Sequence, residues 1–209
     1  SWKKKDKALR APNILKMISQ FNDVSKWVQA TILNGSTPRL RKRYIKKMIS
    51  MATYFWQHGN LSSLCAFYNA LTSNNILSLH ASWKLLSKRK RKELNEIKDL
   101  FGWKMQKFKE IQEELQPPCI PHIGLILQVL FQIDEGKQNK GANGSVNYIK
   151  MMMIHEQIEH LQYLQAPHYR EEPDFLIQKI LIKEFTEQSD LSEKDLWKMT
   201  KQLAEVEKK

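Results

Sequence analysis

The stretch TPRLRKRYIKKMISMATYFWQHGNLSSLCAFYNAL, Thr37 to Leu71, decides the fold class. Thr37 followed by Pro38 reads as an N-cap and a first-turn proline, whose missing amide hydrogen is one that a first helical turn leaves unbonded anyway. Leu40, Tyr44, Met48, Met51 and Phe55 then recur at helical spacing and predict a buried stripe ending at Gly59. Asn60 is placed to cap a second helix carrying Leu61, Leu64, Cys65, Tyr68 and Leu71 before a polar break at Thr72 to Asn75. Two helices joined by so tight a turn predict an antiparallel pair.

The same periodicity continues outward, and alternating strand patterns bounded by turn residues are hard to find. The chain therefore reads as all-α. A short helix is expected around Trp83, then a long one from about Lys90 to Leu115, with Leu94, Ile97, Phe101, Met105, Phe108 and Leu115 on one face and Pro117 and Pro118 as its stop. Pro121 opens an unusually apolar helix to about Glu135, a polar loop covers Gly136 to Gly144, and Ser145 is read as the cap of a helix from Val146 to about Gln165. These two adjoining helices make a hairpin. A further helix is expected from Pro173 to about Glu187, and another after Ser192, where Asp195 completes an approximate capping box.

With 209 residues and no linker-like stretch, one domain spanning 1–209 is expected. The longest apolar run, near Gly124 to Phe131, is far short of the roughly 20 residues that span a bilayer, and the opening Ser-Trp-Lys-Lys-Lys lacks a signal peptide's apolar core. A soluble, cytoplasmic protein is expected. Lys and Arg exceed Asp and Glu by 34 − 22 = 12, concentrated at Lys3 to Lys5, Arg39 to Lys47 and Lys88 to Lys92. Such a surplus suits an acidic partner, an anionic membrane or nucleic acid, and equally suits solvated helix faces.

Several chemistries are disfavoured by spacing. His155 and His160 are five residues apart, diverging by about 140° on a helix, so they do not converge on a metal as an i, i+4 pair would. Cys65 and Cys119 have neither metal-knuckle nor redox-pair spacing and read as reduced, packed thiols. There is no phosphate-cradling glycine loop, no nucleophile elbow, and neither a zinc-finger pattern nor an evident basic recognition helix. No metal and no cofactor is expected, and a nucleic-acid role is the less favoured reading.

Ala11 to Ile18, followed by Phe21-Asn22, Val24 and Trp27-Val28, resembles the opening segment of the catalytic domain of Ras-family guanine-nucleotide exchange factors of the son-of-sevenless type. The likeness continues in order through Gly59-Asn60-Leu61 to Ala70-Leu71, Leu79 with Ser82-Trp83, Pro118-Cys119-Ile120-Pro121 with Gly124, Asp134-Glu135-Gly136, and Val146-Asn147-Tyr148-Ile149-Lys150. The usual domain begins with further helices, which this chain is expected to lack.

The resemblance implies an irregular helical domain whose protruding hairpin wedges beside the nucleotide pocket of a Ras-type small GTPase, exchanging nucleotide without covalent chemistry. It places Phe131 and Glu135 at the wedge, one turn apart. Taken from the residues alone, Phe131 reads as core and Glu135 as a helix-end cap. It also implies a docking surface of Leu15, Met17, Ile18, Cys65, Asn69, Thr72, Asn74, Met105, His122 and Gln128. Recruitment to an anionic membrane would then involve the basic runs. The chain departs from the family pattern at Thr72 (commonly asparagine), Ser78 (arginine), His122 (an aromatic) and Phe131 (a smaller aliphatic). A noncatalytic GTPase-binding scaffold is the alternative these departures leave open.

Overall fold

The computed structural model describes residues 7–140, 144–165 and 169–207. The helices follow in order as α1 (Lys7–Arg10), α2 (Pro12–Leu33), α3 (Pro38–Gln57), α4 (Leu61–Leu71), α5 (Asn74–Leu77), α6 (His80–Lys84), α7 (Lys88–Leu100), α8 (Gln106–Glu113), α9 (Ile123–Gly136), α10 (Tyr148–Gln165), α11 (Phe175–Ser189) and α12 (Glu193–Glu207). Among the described residues no strand forms; isolated bridges join Asn60 to Ile120 and Lys140 to Val146. The fold is all-α. No described helix is long and apolar enough to cross a membrane.

The expected pair is α3 and α4. Thr37 Oγ1 accepts the Leu40 amide at 3.2 Å, and Asn60 Oδ1 accepts the Ser63 amide at 2.9 Å, each satisfying a donor that the first turn leaves open. The buried face of α3 is rotated from the expected stripe: Arg41, Ile45, Met48, Ile49 and Ala52 form its centre, while Leu40, Tyr44, Met51 and Phe55 flank it half-buried. Arg41 accounts for the rotation. Its guanidinium donates to the Gly35 carbonyl at 2.6 Å and to the Ser82 hydroxyl at 3.2 Å, so a charged side chain finds polar partners inside the core. The neighbouring Trp83 indole donates to the Ile76 carbonyl at 2.7 Å.

Around this pair lies a single buried cluster. It takes Val28, Ile32 and Leu33 from α2, Leu64, Phe67 and Leu71 from α4, and Leu94 and Ile97 from α7, and it extends to Leu164 and Leu196 on α10 and α12. Phe185 of α11 meets Trp27 of α2 edge-on at 5.5 Å. Asp174 caps α11 through the Leu176 and Ile177 amides, both at 3.0 Å. At α12 the expected capping box forms, with the Asp195 amide reaching Ser192 Oγ and the Ser192 amide reaching Asp195 Oδ2, both at 3.2 Å.

Three expectations are corrected. The long helix to Leu115 is broken: α7 stops at Leu100, Lys104 and Met105 take left-handed backbone (φ 53° and 57°), and α8 starts at Gln106. The break turns Phe101 inward, where it stacks on Tyr68 at 3.8 Å and on Phe108 at 4.5 Å. The cap of α10 is Asn147, not Ser145; its Oδ1 accepts the Lys150 amide at 3.1 Å, and its own amide is held by the Asn139 carbonyl at 2.9 Å. The polar break after α4 ends in the short helix α5.

What fixes the later chain to the helical pair is a backbone strap. The Ile120 carbonyl accepts the Leu61 and Ser62 amides at 2.9 and 3.3 Å, and the Ile120 amide returns to the Gly59 carbonyl at 3.0 Å. Gly59 has φ +67°, and a Cβ there would lie 3.2 Å from Cys119 Cβ. Gly59→Ala is therefore expected to cost about 1–3 kcal/mol, from left-handed strain plus crowding of the strap, read as a lowered midpoint in urea unfolding.

Candidate functional site

The hairpin of α9 and α10 is held at both ends. At its base the Gln112 side chain, buried on α8, accepts the His122 amide at 2.9 Å, one residue before α9 begins. Near the same end, the Tyr163 hydroxyl of α10 donates to Gln116 Oε1 at 2.5 Å. At the far end stands Lys150, only 2% exposed. Its ammonium donates to the Asp134 carbonyl at 3.2 Å, to the Lys137 carbonyl at 2.9 Å and to Asp134 Oδ1 at 2.8 Å. These carbonyls belong to the C-terminal end of α9, where the helix dipole is negative and the last acceptors lack intrahelical partners.

On α9, Gln128, Phe131 and Glu135 fall at i, i+3 and i+7 and so share one stripe; Phe131 is half-buried, and the other two are exposed. Gln128 also lines a cleft of about 390 Å³ between α8, α9 and α10.

A second group gathers at the hairpin base. His122 Nε2 lies 4.0 Å from Cys65 Sγ, and the Asn69 side-chain amide points to the same sulfur at 4.0 Å. Phe21 and Phe108 flank the imidazole with ring centroids at 5.3 and 6.0 Å. With Tyr68 and Phe101 they complete a row of five rings that runs from α4 through the α7–α8 break to α2. Gly124 makes room for the folded-back imidazole, since a Cβ there would meet Nε2 at 2.6 Å. Burial lowers the His122 pKa, and Nδ1 is buried without a hydrogen-bond partner. Burial pushes the Cys65 thiol up to about 12, so it stays protonated.

The remaining residues assigned to docking are placed as follows. Leu15 and Ile18 are half-buried on α2 and Met17 is exposed. Cys65 is only 3% exposed and forms the floor beneath His122 rather than surface. The Thr72 hydroxyl is engaged by the Tyr68 carbonyl at 2.7 Å, Asn74 is exposed at the start of α5, and Met105 packs half-buried against the core. The structure brings Cys65, Asn69 and His122 together at the base, and Gln128, Phe131 and Glu135 together along the hairpin. Away from both, His155 is 3.9 Å from Glu159, with both side chains exposed.

Comparison with known proteins adds the decisive match: the RasGEF domain family matches residues 1–152. The chain belongs to that family. It is 34% identical over 174 residues to Ras guanine nucleotide exchange factor P of Dictyostelium discoideum, covering 81% of this chain and 12% of that protein. It is 26% identical to Protein son of sevenless of Drosophila melanogaster, covering 90% of this chain and 12% of that protein. With Ras-specific guanine nucleotide-releasing factor 1 of Rattus norvegicus the identity is 28%, covering 88% and 15%. The RasGEF chain thus spans only about an eighth of the length of these relatives.

Sequence reasoning did not single out Gln112, the aromatic row or the work of Lys150. A signal for Lys150 existed: a cation in the first turn of a helix sits against the positive end of the dipole, which marks it as answering to another element. Lys150→Met is expected to cost about 2 kcal/mol by stranding the two carbonyls, and to speed amide exchange at the end of α9 while leaving α3 and α4 protected.

His122 supplies a pH dependence. Its folded pKa lies below the ordinary 6.5, so the unfolded chain takes up the proton first. The contribution is fully present above pH 6.5 and is lost as pH falls through the folded pKa. Unfolding midpoints measured downward from neutrality should drop for the native chain and drop less for His122→Phe.

Proposed function

We propose that this chain is the exchange domain that accelerates GDP release from a Ras-type small GTPase, acting by non-covalent displacement. The observation that carries the proposal is the Gln128–Phe131–Glu135 stripe on a hairpin tied down at both ends. Two of the relatives named above, one called an exchange factor and one a releasing factor, support the same class.

A GTPase retains its nucleotide largely through phosphate contacts and magnesium. Phe131, half-buried at the edge of the stripe, brings apolar bulk to the space the metal occupies. Glu135, exposed one turn further, offers a carboxylate to the donors that otherwise hold phosphate. Leu15, Met17 and Ile18 of α2, Asn69 and Thr72 at the end of α4, Asn74 at the start of α5, Met105 and Gln128 form the docking surface, with Cys65 supporting it from below through His122. Binding the nucleotide-free GTPase more tightly than the loaded form weakens nucleotide binding by the same factor, because the coupling is reciprocal. An acceleration of about 10⁵-fold corresponds to about 7 kcal/mol.

One observation favours a second reading, a scaffold that grips a GTPase without releasing nucleotide. At two positions where the chain departs from the family pattern, the Thr72 hydroxyl is engaged by its own helix and the His122 ring is folded into an internal cage. With the exchange reading goes the proposal that the basic runs recruit the protein to an anionic membrane surface.

Fluorescent-nucleotide release from a panel of Ras-type GTPases, beside capture of the nucleotide-free partner on a sizing column, separates the readings. The exchange domain accelerates release; the scaffold forms the complex without doing so. Phe131→Ala and Glu135→Ala should each slow release by on the order of tenfold or more while capture persists. Ile18→Glu should weaken capture itself, by about 2–4 kcal/mol if the contact is desolvated. Unchanged release in both hairpin variants, with circular dichroism showing folded protein, would remove the wedge assignment.

A further inference from the structure

Lys3 to Lys5 lies outside the described residues, and the other two basic runs, Arg39 to Lys47 and Lys88 to Lys92, do not survive folding as runs. Arg41 is spent on Gly35 and Ser82, Lys90 on the Ser50 hydroxyl and Glu93, and Arg91 on the Trp83, Lys84 and Leu86 carbonyls. Arg89 and Lys92 of α7 face Glu93 and Glu96 at 3.9 Å. Of these two runs, what is left over is Lys88 at the start of α7 and a larger group on α3. Arg39, Arg43, Lys46 and Lys47 are exposed and Lys42 is half-exposed, on a helix whose sequence holds no Asp or Glu. Among the described residues no carboxylate pairs with any of the five.

This arrangement works against the helix that carries it. Arg39 and Arg43, Lys42 and Lys46, and Arg43 and Lys47 are like charges at i, i+4, which repel on a helix surface. They crowd the N-terminal half of α3, where the dipole already presents positive charge and no acidic residue occupies the first turn. Charges placed where they weaken their own helix become favourable when an external anionic surface meets them.

The shape of the surroundings selects the kind of surface. α3 is packed by α2, α4, α6 and α7, which leaves one face open rather than a projecting rod that enters a nucleic-acid groove. The aromatic rings further along, Tyr54 and His58, stack on each other at 3.8 Å rather than standing free for bases. At about 1.5 Å per residue, the basic segment lies about 15–27 Å along α3 from its C-terminal end, where the Gly59 strap holds the hairpin. The two surfaces therefore occupy opposite ends of one rigid helix.

We infer that the open face of α3, centred on Arg43, Lys46 and Lys47, is an electrostatic docking surface for an anionic lipid bilayer. It rests on the recruitment reading given above and assigns that recruitment to one face. The contact is carried by charge, so it weakens steeply with salt, by about fivefold for each basic side chain removed.

The test is co-sedimentation of the full chain with vesicles of phosphatidylcholine containing about one-third phosphatidylserine. The native chain should bind at about 0.1 M salt and release at about 0.5 M. The triple variant Arg43→Gln, Lys46→Gln, Lys47→Gln should bind about a hundredfold more weakly, and its thermal midpoint should be equal or higher because the repulsion is relieved. A control neutralising three exposed lysines elsewhere, Lys179→Gln, Lys183→Gln and Lys194→Gln, should keep most of its binding. Native protein that ignores the vesicles overturns the recruitment reading and this proposal together. Binding lost equally in both triple variants, or kept in the α3 variant, overturns the assignment of the face alone. Tighter binding to duplex DNA than to vesicles at the same salt also overturns it. Nucleotide release from a soluble GTPase is independent of all these outcomes and should match the native rate in the α3 variant.

Discussion

A single carbonyl, that of Ile120, accepts two amides at the start of α4, and on that contact the arrangement of the molecule turns. Helix starts leave donors without partners, and here they are satisfied partly from within, by Asn60, and partly by a segment far along the chain. The segment it comes from leads directly into α9. Capping the central helix and mounting the hairpin are thus one event, and the hairpin cannot be re-aimed without exposing the start of α4.

The helical pair was legible because its signals are local: an N-cap, a first-turn proline, an apolar period and a glycine stop occur within a few residues of one another. The capping box at Ser192 and Asp195 was legible for the same reason. The break at Phe101 to Met105 was not. An unbroken apolar period passes through it, and the inward turn of Phe101 depends on Tyr68 and Phe108, contacts between elements that periodicity alone does not encode. The rotation of α3 has a similar origin, since a basic residue is assigned to solvent unless its internal partners are known, and those of Arg41 come from a loop and from α6.

Of the candidate site, Phe131 and Glu135 were readable as a pair from a family likeness and their one-turn spacing, while Gln128, assigned to docking by the same likeness, joins their stripe only once α9 is seen. Its supports were less so. Lys150 was visible only as one letter of a motif, and its burial against the end of α9 depends on carbonyls of Asp134 and Lys137 that belong to another element. His122 was recognised as an aromatic position, while the cage around it assembles residues from α2, α4 and α8. Local chemistry predicts which atoms want partners, whereas tertiary packing decides which partners arrive.

The double fastening of the hairpin has a mechanical consequence. Two helices joined only by the chain between them would slide past each other under load, and each would bend separately. With the Lys150 ammonium pinning them together at the free end, they resist shear and behave as one cantilever, stiffer than two independent rods. A force applied near Glu135 then arrives at the root as torque about the Ile120 strap and the Gln112 contact, instead of being dissipated along the way. Such a hairpin is a lever, and its fulcrum is the three backbone hydrogen bonds of the strap together with the Gln112 contact.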